Sequence, residues 1–170
     1  RWHHGAVVKA LTINELVEMF QVMAELEGLC ARLAARRMTA DRRKEMRRMH
    51  ELCAERAAAG DHDGFFEANN RFHEVIYVAS HNRFLEKETR ALRNRVNPYR
   101  HFITYQPGRM DNSIDEHEAV TTAIEAHDGE AAHRLMREHV NLLAESAADV
   151  IAVLRLGDSP LADEQRDVGS

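Results

Sequence analysis

The sequence is short of punctuation. It has three prolines and eight glycines in 170 residues, which excludes a turn-rich chain and favours long helices. It has only two cysteines, Cys30 and Cys53. They form no Cys-x-x-Cys pair and both sit in apolar helical patterns. They read as buried free thiols in a reducing cytoplasm, and neither has the spacing of a Cys/His nucleophile. Basic charge is not in excess: 23 Lys and Arg face 28 Asp and Glu, for a net charge of -5. That argues against a nucleic-acid-binding face, so any action on DNA belongs to a basic module outside this chain. No signal-peptide pattern opens the sequence and no apolar run is long enough to cross a bilayer. The expected setting is therefore cytoplasmic, with no membrane partner. The chain begins at Arg1 rather than Met, so a fragment is expected. What is present is the 44% hydrophobic and 30% charged content of a soluble globular protein. One domain of this length buries about two-thirds of its unfolded surface, so folding requires neither disulfide nor metal.

Apolar residues recur at helical spacing almost throughout. After an extended lead-in over residues 1–11, Thr12 and Glu15 form a capping box. Leu16, Phe20, Met23, Leu26, Cys30 and Leu33 then trace one face to about Arg37, and Glu27 lies near it. Thr39 caps a second helix, 40–59. Its Arg42, Arg43, Lys44, Arg47 and Arg48 are interleaved with Glu45, Glu51 and Glu55, which reads as a solvated face. The spacing predicts a third helix over 64–79 capped by Asp63. A fourth runs over 83–105, capped by Asn82, with Leu85, Leu92, Val96, Tyr99 and Ile103 inward and a kink at Pro98. Ser113 and Glu116 read as a capping box for a fifth, 114–126. Asp128 caps a sixth, 129–156, whose stripe includes Leu135, Met136, Val140, Leu143, Ala147, Val150 and Leu154. A polar tail over 157–170 lacks apolar periodicity and is expected to be disordered. The sum is an all-α antiparallel bundle of about six to seven helices.

The chemistry concentrates in Asn69-Asn70-Arg71-Phe72-His73-Glu74-Val75-Ile76. Asn69 and His73 share a helix face one turn apart. Among eleven histidines, periodicity places His117 (with Val120 and Ile124) and His139 (with Leu135, Met136 and Leu143) on inner faces as well. His62, His81, His127 and His133 fall in turns or on polar faces, and His50 and His101 are left unplaced. Three inward imidazoles and an amide oxygen read equally as hydrogen-bonded core groups or as divalent-metal ligands. Glu74, Glu116 and Glu138 adjoin these residues in sequence, but helical neighbours point about 100° apart. No inward general base is recognised, and neither His-Glu-x-x-His nor two Glu-x-x-His pairs occur.

The ordered motifs Glu25-Leu26-Glu27 with Ala31-Arg32-Leu33-Ala34-Ala35, Asn69-x-x-Phe72-His73, His81-Asn82-x-x-Leu85, Ser113-x-x-Glu116-His117-x-x-Val120-x-x-Ala123-Ile124, and Asp128 with Ala132, Met136 and His139-Val140 carry a resemblance. Over about 12–152 the chain resembles the effector-binding FCD domain of FadR-subfamily, GntR-type transcription regulators. His4-Gly5-Ala6-Val7-Val8 resembles the end of the winged helix-turn-helix wing that precedes such domains. The resemblance implies that 1–11 is a wing or linker remnant, 12–156 an effector-binding and dimerising domain, and that DNA is bound only through a missing N-terminal module. It implies a homodimer, and a divalent metal, zinc or nickel, on Asn69, His73, His117 and His139 with a small carboxylate effector beside it. The family commonly has Asp where this chain has Asn69, so looser metal binding or a stronger call for an anionic effector is expected. It often has an inward Arg where this chain has Met23; Arg93 and Arg100, with Tyr99 and Met23, are the candidate effector contacts. The alternatives are a metal-dependent enzyme on the same four ligands, and a plain helical interaction domain whose histidines are core.

Overall fold

The computed structural model describes residues 12–157, apart from the side chains of 145 and 147–157. The lead-in and the tail beyond Gly157 lie outside the described residues, and the stripe side chains of Ala147, Val150 and Leu154 lie outside the described side chains. Among the described residues there are six helices: α1 (Ile13–Arg37), α2 (Ala40–Ala58), α3 (His62–Ala79), α4 (Arg83–Ile103), α5 (Arg109–Glu125) and α6 (Gly129–Gly157). Among the described residues there is no strand, and no helix there is long and apolar enough to cross a membrane.

α1 lies along α6, α2 packs on α3 and α5, and α4 closes against α1, α3 and α6. The shared interior is apolar where Leu16, Phe20, Met23, Phe72, Ile76, Met136 and Val140 meet, all fully buried. Both cysteines are buried and free, and burial pushes each thiol up to about 12, which leaves them unreactive.

The caps at Thr12, Thr39, Asn82 and Asp128 form as the sequence indicates. Two others differ. α3 begins at His62, and Asp61 rather than Asp63 accepts from the Gly64 N–H; Asp63 instead takes hydrogen bonds from His101 and Tyr105. α5 begins at Arg109, four residues before the expected cap, because Gly108 turns the chain at φ 73, a conformation open to glycine. Ser113 and Glu116 are thus inside the helix, and their polar groups point into the site.

α4 ends at Ile103 and carries Pro98 within it, where the ring has no N–H for the carbonyl of Asn94. Its buried face reads Leu85, Thr89, Arg93, Val96, Arg100, Ile103. Leu92 and Tyr99 are only half-buried. The helix therefore delivers two guanidiniums to the interior.

Candidate metal centre

Three helices converge on one point. α3 supplies His73, α5 His117 and α6 His139, all essentially inaccessible to solvent. Their ring centroids are 5.3, 5.3 and 4.7 Å apart. One ligating atom from each lies within 4.8 Å of the others. Phe72, one residue before His73, stacks on the His117 ring at 4.3 Å and fixes its plane. Asn69 is buried one turn before His73 and lines a cavity with His139 and Ser113.

The donor set fits a metal ion on this structure's own terms. His73 Nε2, His139 Nε2 and Asn69 Oδ1 are buried without a hydrogen-bond partner, His117 Nε2 has only Ser113 Oγ at 3.5 Å, and burying such groups is costly unless something satisfies them. His73 Nδ1–H donates to Glu27 Oε2 at 2.6 Å and His139 Nδ1–H donates to Glu116 Oε2 at 2.6 Å. A carboxylate only accepts, so each fixes the tautomer that leaves Nε2 as a bare lone pair. Carboxylates behind metal-binding histidines raise ligand basicity in this way.

Burial lowers the basicity of all three histidines. His73 and His117 are held well below the ordinary imidazole value, by burial first and then by neighbouring charge. His139 is lowered by burial despite Glu116. All three are neutral near pH 7, the state in which imidazole binds metal. Burial alone would push the Glu27 carboxyl up, but the His73 contact and the Arg93 and Arg100 charges hold it well below the usual carboxylate range. Arg93 also donates to Tyr77 Oη and Asn70 Oδ1. Arg100 is pushed down to about 10 by burial and by Arg93 and stays cationic at neutral pH. Arg109 pairs with Glu116. Two buried guanidiniums thus face one buried carboxylate at Glu27, and the site carries an excess positive charge before any metal is counted.

Of the four expected effector contacts, only Arg100 lines the cavity beside Asn69, Ser113 and His139. Arg93 is tied to Glu27, Tyr77 and Asn70, Met23 is fully buried in the core, and Tyr99 packs half-buried against it. Arg109 lines the cavity too and was not singled out by the sequence. The cavity measures about 20 Å³, room for roughly one water-sized group. Glu27 is the other residue the sequence undervalued. A glutamate on the Phe20/Met23/Cys30 stripe was the signal. Glu116 does not reach its neighbour His117, as helical geometry requires; it reaches across to His139.

Comparison with known proteins places the domain. The FCD domain family matches residues 18–142. The chain is 30% identical over 140 residues to a probable D-xylose utilization operon transcriptional repressor of Paenarthrobacter nicotinovorans, over 82% of this chain and 61% of that protein. The chain therefore spans about three-fifths of that relative's length. Among solved structures, Streptococcus agalactiae GntR superposes with a TM-score of 0.68 at 19% identity, over 81% of this chain and 62% of that one. E. coli McbR/YncC superposes at 0.69 and 23% identity, over 87% and 71%. The chain belongs to the FCD domain family. Within that family it is an FCD domain of the GntR regulator type.

Proposed function

We propose that this is the effector-sensing and dimerising domain of a cytoplasmic, FadR-subfamily GntR-type transcription regulator. In this reading it binds a divalent metal, zinc or nickel, and a small carboxylate, and so governs DNA binding by an N-terminal winged helix-turn-helix module. The observation that carries the metal reading is the convergence of His73, His117 and His139, with His73 Nε2, His139 Nε2 and Asn69 Oδ1 buried and partnerless and two of the rings backed by carboxylates. When bound, the metal supplies a Lewis-acid anchor for an anion. Glu27 and Glu116 orient the rings, and the excess buried charge of Arg93 and Arg100 favours an anionic guest. Arg100 and Arg109 flank the cavity and offer planar forks suited to a carboxylate. The cavity is too small for an organic acid as it stands, so effector entry moves the helices that line it. That coupling is what shifts the placement of DNA-binding heads in a dimer.

The Paenarthrobacter nicotinovorans relative is described as a probable transcriptional repressor, and the carboxylates touching the candidate ligands favour sensing over catalysis. Glu27 and Glu116 are held against Nδ1 atoms and arginines, so neither is free to act as a general base. The test is metal content by mass spectrometry on tag-free protein, with His117→Ala alongside. About one metal per chain, lost in His117→Ala, is the expected result. Thermal-shift screening of small carboxylates on the loaded protein then reads the effector. No metal in the parent and no stabilisation by added zinc or nickel would sink the reading.

A further inference from the structure

Two of the three histidines have a carboxylate behind them and the third, His117, does not. Its Nε2 lies 3.5 Å from Ser113 Oγ, and Ser113 lines the same cavity as Asn69 and His139, so the Nε2 edge faces the centre. Its Nδ1 is buried without a partner. Next to that ring stands His50 of α2, buried, with its centroid 6.4 Å away and its plane edge-on to His117 at 66°. His50 also flanks Phe72, the residue stacked on His117.

His50 has a carboxylate of its own. Its Nε2 is 2.8 Å from Glu118 Oε2, and Arg47 reaches the same oxygen at 2.6 Å. Because the carboxylate can only accept, Nε2 carries the proton and Nδ1 is a bare lone pair. That Nδ1 is also buried and unpartnered. A His117 that ligates through Nε2 must carry its proton on Nδ1. A buried N–H and a buried lone pair therefore sit on neighbouring rings, each lacking what the other has.

We propose that His50 is a positioning residue for His117, completing a Glu118–His50–His117 relay equivalent to the Glu27–His73 and Glu116–His139 pairs. Two imidazoles joined by a direct N–H···N bond have centroids roughly 5 Å apart, so the rings close by roughly an ångström when the bond forms. The relay gives His117 the ring orientation and tautomer that the carboxylates give the other two. It rests on the metal reading of the centre and adds a residue from α2 to it.

The test titrates tag-free protein with cobalt(II) and with zinc, and compares the parent with His50→Phe and His50→Gln. Phe keeps the ring against Phe72 and removes the nitrogen; Gln restores an acceptor. The relay predicts metal affinity lower by about ten-fold or more in His50→Phe, a changed cobalt visible spectrum, and recovery of most of the affinity in His50→Gln. A purely structural role would lower the metal-free melting temperature in both variants with no recovery by Gln. His50→Phe binding cobalt within a factor of about two of the parent would overturn the relay and leave the metal centre standing. A parent that binds neither ion would overturn the metal centre itself. Should His50→Phe fail to fold, Glu118→Ala, which removes the acceptor of a half-exposed side chain, carries the test: affinity reduced by about three-fold or more supports the relay, and unchanged affinity overturns it.

Discussion

Glu27 and Glu118 each sit between histidine and arginine side chains, one deep in the bundle and one at its surface. Glu27 accepts from His73 at 2.6 Å, Arg93 at 3.0 Å and Arg100 at 3.4 Å, and is fully buried. Glu118 meets His50 at 2.8 Å and Arg47 at 2.6 Å with 47% of its side chain exposed. The exposed network has water to replace any partner it loses, so each contact is worth little. The buried one has no such substitute. Removing one member leaves a charge in a medium that cannot solvate it. Like contacts therefore have unlike consequences, and the buried set is where a ligand can change the energetics of the whole bundle.

The sharpest break in this comparison is Glu27→Gln. The amide keeps the shape and removes the counter-charge of Arg93 and Arg100. A loss of about 3–5 kcal/mol is expected, a large share of the roughly 5–15 kcal/mol that holds a domain folded. Urea unfolding at pH 7 in the presence of chelator measures it. A loss below about 1 kcal/mol would show that the buried cluster is solvated much like the surface one.

Acidification gives the next effect, in the metal-free protein. His73 and His117 are held well below the ordinary imidazole value by burial. Below about pH 6.5 the unfolded chain takes up protons that the folded chain refuses. The unfolded state then binds more protons, so stability falls as pH falls and is level above that pH. Two such histidines lose about 2 kcal/mol between pH 6.5 and 5.5. Glu27 adds nothing in this window. Its depressed carboxyl contributes stability that is fully present above the unfolded value near 4.3 and is lost only below it. Urea midpoints at the two pH values test the sign, and a parent whose midpoint rises on acidification contradicts it. The double variant His73→Gln/His117→Gln should show a flatter profile.

Most of the frame was legible in the sequence because helical periodicity and N-caps are local. Thr12, Thr39, Asn82 and Asp128 cap where their side chains suggest. The inner faces of α3, α5 and α6 likewise brought His73, His117 and His139 together. The charged surroundings were less legible because they depend on which helices face each other. Glu27 reaches His73 across 46 positions and Arg93 across 66, and no spacing rule carries that far. Ser113 and Glu116 show the same limit from the other side. Their i, i+3 pattern fits a capping box, but Gly108 starts α5 earlier, and both residues are spent on the site. His50 was left unplaced because α2 is so densely charged that its buried face, Met46, Met49, His50 and Cys53, barely stands out from its solvated one.

The smallest effect tests the exposed half of the comparison. Arg47 bridges Glu118 and Glu125 across α2 and α5 with about a third of its side chain exposed. Arg47→Ala removes both contacts but leaves the two carboxylates at the surface, where water takes over. A stability change of about 1 kcal/mol or less is expected in urea unfolding, against the several expected at Glu27. His50 keeps Glu118 in this variant, so metal affinity should fall far less than in His50→Phe. A loss of about 3 kcal/mol or more would mean that Arg47 clamps α2 to α5 as firmly as Arg93 clamps α4 to α1, and that burial is not what distinguishes the two networks.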